Sequence, residues 1–125
     1  MGVTSPELMA RTFMERFNAR DQSGLADLYT DDAVFTYDGI EKAVGRQQIE
    51  GAIAGFMAAG LTFKGEFVSV YVAGDTAMTR MKWELIEASG SQMSAGISAE
   101  VLRRGADGKW RFLIDDAGGG SRVAP

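Results

Sequence analysis

The chain has no cysteine, no histidine and only 2 prolines in 125 residues. Those absences exclude a thiolate nucleophile, an imidazole base, a Ser-His pair and an ordinary zinc site. Acid–base work is left to Asp, Glu, Lys or Tyr, with pKa values moved by burial. No apolar run approaches the ~20 residues that cross a bilayer, so no membrane span is expected. Nor is charge concentrated. The 13 basic and 17 acidic residues are mixed along the chain and leave no footprint for nucleic acid or an anionic membrane. The start "MGVTSPELM" lacks the basic residues and apolar stretch of a signal peptide, and Pro6 stands where myristoylation needs Ser or Thr. The cytoplasm is the expected compartment, with no cofactor and no metal.

What is present is 46% hydrophobic residues, enough for the core of one domain. That domain is expected over 1–117, with "GGGSRVAP" at 118–125 as a flexible tail that has nothing to bury. Ser5-Pro6-Glu7 has the composition of a helix start, followed by Met9, Phe13 and Phe17 on one stripe. A short second helix is expected over Leu25–Tyr29, then a strand "AVFTY", then a third helix from about Arg46 to Ala59 with Gly60 as its stop. From Phe63 the hydrophobic period changes to two. Four runs follow, "GEFVSVYVA", "TAMTRMKWELIEA", "QMSAGISAEVLRR" and "KWRFLIDDA", separated by hairpin material. Helices gathered before a meander of strands indicate an α+β layer structure.

Strand alternation sorts the meander into two faces. Met81, Trp83 and Leu85 share one side, and Arg80, Lys82 and Glu84 the other. On the third run the apolar set Ala95, Ile97, Ala99 and Val101 is expected inward, leaving Ser98, Glu100, Leu102 and Arg104 outward. On the last run Trp110, Phe112, Ile114 and Asp116 are expected inward, and Asp115 outward. The charged face is either solvated surface or a polar interface between copies.

Taken together, these residues resemble the nuclear transport factor 2-like superfamily, and within it a SnoaL-like group. "SPELMARTFMERFNARDQSGLADLYTDDAVF" is similar to the usual opening, "GRQQIEGAIAGF" to the third helix, and "AEVLRRGADGKWRFLIDDAGG" to the closing strands. The resemblance, from about Pro6 to Gly119, implies a cone-shaped roll with three N-terminal helices packed on a strongly curved, mainly antiparallel sheet. It implies a homodimer through the convex sheet face, involving Arg80, Lys82, Glu84, Glu100 and Arg104. It also implies a pocket between the concave face and the helices, with Phe13, Phe17, Tyr37, Phe56, Met57, Met81, Trp83, Trp110 and Phe112 as lining candidates.

The related ketosteroid isomerases do not carry over residue by residue. Where they place a tyrosine on the first helix this chain has Phe13, which donates no hydrogen bond. Their base corresponds to Tyr37 by the count from "DDA", and Asp38 then falls at the rim. Their second oxyanion donor falls near Ala99 or Glu100, and the apolar alternation puts Glu100 outside. The Asp-Arg-Asp set of epoxide hydrolases on this fold is not evident either, because Arg80 falls on the convex side. The catalytic candidates are therefore Asp116, Asp38 and Tyr37, with Asp116 on the inward line of the last strand. Asp31 and Asp32 are expected to cap a turn. Two functions fit: a dimeric module that binds a small, mostly apolar molecule, or an isomerase-, cyclase- or dehydratase-type enzyme using a pocket carboxylate on a carbonyl compound.

Overall fold

A computed structural model describes residues 2–121. Ser5-Pro6-Glu7 opens a single 3-10 turn, Pro6–Leu8, and α1 runs on from it over Met9–Asn18. Proline suits that first turn because its fixed φ is helical and its missing N–H has no partner to lose. Met9, Phe13 and Phe17 are buried on one stripe, as their spacing requires. The second helix, α2, spans Gln22–Ala26, earlier than the sequence suggests. The Asp21 side chain accepts from Gly24 N at 3.0 Å and starts it there. Tyr29 therefore leaves the helix and begins β1, Tyr29–Thr36. The third helix, α3, spans Arg46–Ala58 and buries Ile49, Ile53 and Met57.

The remaining strands are β2 (Ala43–Val44), β3 (Thr62–Ala73), β4 (Thr76–Ile86), β5 (Gln92–Ile97), β6 (Ala99–Arg104) and β7 (Trp110–Asp116). They form one sheet in the order β2-β1-β7-β6-β4-β3, with β5 also on β4. Among the described residues only the β1–β7 pair is parallel. The third sequence run breaks at Ser98, so β4 is bordered first by β6 and then by β5. β7 lies between β1 and β6, its last pair with β6 being Ala99↔Asp116. The helices close over the concave side of this curved sheet, and the core forms between them. Among the described residues no helix is long and apolar enough to cross a membrane.

On β4 the alternation holds: Met81, Trp83 and Leu85 are buried. On β6 it is inverted. Glu100 and Leu102 are 1% and 0% exposed, whereas Ala99 and Val101 are only half-buried. The cause is register, because β6 meets β4 as Thr79↔Glu100 and Ala77↔Leu102, and direct partners share a face. The apolar residues of the third run thus line the convex side. β7 is displaced for a different reason. Val101 pairs with Ile114 but Leu102 with Phe112, so Leu113 is an extra residue in a bulge. Trp110 and Phe112 point inward as expected; beyond the bulge Ile114 turns outward at 44% exposure and Asp115 turns in.

The expectation of a tail with nothing to bury is corrected at its start. Gly120 N donates to Ile97 O at 2.9 Å, and Arg80 Nη2 donates to Gly120 O at 2.8 Å. A Cβ at Gly120 would lie 2.6 Å from the Ile97 side chain, so only glycine allows this approach. Residues 122–125 lie outside the described residues.

Candidate functional site

A small cavity of about 50 Å³ lies between α1, α3 and the concave sheet face. That is room for a few water molecules. Its floor is aromatic: Phe13 meets Phe63 edge-on at 4.9 Å, and Phe17 lies 5.7 Å from Phe63. Its mouth carries Tyr37, whose ring lies 5.1 Å from Phe56 and 6.0 Å from Trp83. Trp83 Nε1 donates to Ala117 O at 2.7 Å, which fixes the indole against the start of the C-terminal turn. Gly96, the cross-strand partner of Trp83, leaves room for that ring, since a Cβ there would stand 3.1 Å from it.

The polar exception in this wall is Asp115, with Ser98 beside it. Asp115 is 7% exposed, and Tyr29, itself fully buried, donates its hydroxyl to Oδ2 at 2.6 Å. Burial pushes the Asp115 carboxyl up to about 6, against the pull of the Tyr29 hydrogen bond and with help from neighbouring Asp116. Burial and the Asp115 charge in turn raise the Tyr29 phenol well above its ordinary value. Phenol and carboxylate therefore form a donor–acceptor pair in which the proton stays on oxygen of Tyr29.

Of the expected lining residues, the structure brings Phe13, Phe17, Tyr37, Phe56, Met81 and Trp83 to the cavity. Met57, Trp110 and Phe112 are buried but belong to the core behind it. Phe112 packs on Tyr29 at 5.0 Å, and Trp110 bridges Val3 and lies beneath the Arg104 guanidinium at 5.6 Å. Phe35, Ile53, Phe63, Leu85, Ser98, Asp115 and Ala117 complete the wall, Ser98 and Asp115 against the expectation that they face outward.

The catalytic candidates separate. Asp116 does not face the cavity; the Leu113 bulge places it opposite Ala99, where its Oδ1 accepts from Gly118 N at 3.3 Å. Asp38 is an exposed loop residue accepting from Ile40 N and Glu41 N at 2.8 and 2.9 Å, outside the cavity lining. Tyr37 lines the mouth and donates to Ser94 Oγ at 2.6 Å. Asp31 and Asp32 pair with Arg46 and Arg103 at 2.9 and 3.2 Å.

The set expected on the convex face is also corrected. Arg80, Lys82 and Glu84 are there. Glu100 is inside, and Arg104 follows the parity of Leu102 to sit over Trp110 and pair with Asp75. The missed signal for Asp115 was local: "FLIDD" offers two adjacent acids, and only the bulge decides which enters.

Three helices on a curled, mostly antiparallel sheet, with a pocket between them, define a nuclear transport factor 2-like α+β roll. The SnoaL-like domain family matches residues 10–112, and the chain belongs to that family. A nuclear transport factor 2-like protein with a cystatin-like fold from Novosphingobium aromaticivorans shares 27% identity at a TM-score of 0.74, covering 94% of this chain and 80% of that one. A domain of unknown function with a cystatin-like fold from Nostoc punctiforme shares 16% at 0.79, covering 94% and 75%. A protein of Thiobacillus denitrificans, assigned to the calcium/calmodulin-dependent protein kinase type II association domains, shares 18% at 0.79, covering 95% and 98%. No curated protein matches the chain.

Proposed function

We propose that the pocket binds a small, mostly apolar carbonyl compound and that Asp115 acts on it as a general base. One observation carries this reading: a single buried carboxylate stands in the wall of an otherwise largely apolar cavity, oriented by Tyr29. Its ionisation near 6 leaves it charged at neutral pH yet still basic enough to take a proton in a transition state. The aromatic floor supplies apolar burial for the ligand's carbon frame, and the Tyr37 phenol at the mouth, on giving up its bond to Ser94 Oγ, donates to the carbonyl oxygen.

The test is deuterium exchange at the α-carbon of acetone and other small acyclic ketones in D2O, followed by NMR. Asp115→Asn should slow exchange by roughly 10²-fold or more, and Asp116→Asn should leave it near the original rate. Equal exchange in the Asp115→Asn variant would remove Asp115 as the base. Ketones that raise the melting temperature of the unaltered protein without exchanging would leave the binding role and remove the chemistry.

We also propose that a second copy docks on the convex sheet face. Tyr71, Met78, Val101 and Ile114 are aligned across β3, β4, β6 and β7 by direct pairing, with Tyr71, Met78 and Ile114 exposed. Arg80, Lys82 and Glu84 on the same face carry both signs, so two copies related by a two-fold axis meet complementary charge.

A further inference from the structure

Behind Asp115 lies a second buried acid that the pocket does not use directly. Glu100 is its direct partner across the β6–β7 ladder. Side chains so placed share one face, with Cβ atoms about 5 Å apart. Glu100 is 1% exposed, and its Oε1 accepts from Thr79 Oγ1 at 2.7 Å. Its Oε2 is buried with no hydrogen-bond partner, because the nearby Ser98 hydroxyl is directed at Met81 O at 3.2 Å. The titratable groups acting on the two acids are each other, Tyr29 on β1 and Asp116 on β7. From β4 the neighbour is the neutral Thr79.

We propose that Glu100 and Asp115 act as one proton-sharing unit, in which Glu100 is a positioning residue that keeps a single negative charge on the pocket wall. Two ionised carboxylates side by side in this apolar setting would each be desolvated and would repel. The geometry decides which one keeps the proton. Asp115 receives the Tyr29 phenol and faces the cavity, whereas Glu100 has one donor and one orphaned oxygen. In agreement, burial first and the Asp115 charge second push Glu100 up to about 8, against the nearby Ser98 hydroxyl and the Thr79 hydrogen bond and with a smaller push from Asp116. Asp115 thus ionises first, and Glu100 stays neutral until the solution is mildly alkaline. Between those two events the pair holds one proton and one charge. Above the second, a further charge enters the same wall and opposes any anion forming on a ligand.

This inference takes Asp115 as the base for its catalytic meaning, but its test needs no substrate. Carboxyl 13C NMR titration should show Asp115 changing near pH 6 and Glu100 near pH 8. Glu100→Gln should abolish the upper transition and keep the lower one. Thr79→Val should move the Glu100 transition upward, since the lost hydrogen bond favours the charged form. Asp115→Asn should move it downward by removing the neighbouring charge. Should Glu100→Gln fail to fold, the other two variants decide the matter. Glu100 titrating with the surface glutamates in the unaltered protein would overturn the proposal.

Stability supplies a second readout. A raised carboxyl binds a proton in the folded state that the unfolded chain has released, so stability falls as pH climbs from the ordinary carboxylate range to about 8. The melting temperature of the unaltered protein should therefore drop across pH 6–8, and that of Glu100→Gln should stay flatter; parallel curves would count against the pair. If ketone exchange is observed, its alkaline decline should be present in the unaltered protein and missing in Glu100→Gln. Failed exchange with intact titrations removes the base and leaves the pair. Ordinary titration of Glu100 with intact exchange does the reverse.

Discussion

The concave face of β6 and β7 holds Glu100, Leu102, Phe112 and Asp115, while the convex face of the same strands holds Ala99, Val101, Ile114 and Asp116. Each face has aliphatic groups and acid, so composition does not distinguish them. What differs is the surroundings. Concave residues are covered by the helices, whereas the convex ones are half-buried or exposed. The same side-chain type therefore has two different physical roles one position apart. A carboxylate on the concave side is shifted by desolvation, and one on the convex side caps a turn.

Substitutions at adjacent positions give the sharpest way to break this contrast. Leu102→Ala should cost roughly 2–5 kcal/mol in urea unfolding, because the cavity it leaves has no neighbour free to fill it. Val101→Ala, one residue earlier, should cost about 1 kcal/mol or less. Equal losses would mean that β6 is registered differently on β4. A smaller effect is expected at Tyr29→Phe, which removes the phenol that donates to Asp115. That change should cost roughly 1–3 kcal/mol and raise the Asp115 transition, since the lost bond favours the charged form. A downward move would show that Asp115 is not bonded as described. On the convex side Met78→Glu should leave monomer stability within about 0.5 kcal/mol. It should still shift the sedimentation of a dimer toward that of a monomer, and an unchanged sedimentation profile would place the interface elsewhere.

Much of the fold was legible because its signals are redundant. The stripe of Met9, Phe13 and Phe17, the helix stop at Gly60 and the alternation of Met81, Trp83 and Leu85 each stand without reference to distant residues. Half of the pocket wall followed from the same patterns. The acids did not, because their facing depends on two non-local facts. One is the pairing of Thr79 with Glu100, which places a carboxylate inward despite an apolar alternation running the other way. The other is the single extra residue at Leu113. The usual rule against burying an unpaired carboxylate argued for Glu100 outside. It fails here because the carboxyl stays neutral and Thr79 satisfies one oxygen.

The Leu113 bulge also bears on how pockets of this kind diversify. With "DD" at the strand end, one residue added between the bulge and Asp115 would turn Asp115 out of the wall and Asp116 into it, with the strand's first half unmoved. Insertion of a single codon, and not only replacement of one amino acid by another, is thus a route by which such a chain exchanges the carboxylate that it presents to its cavity.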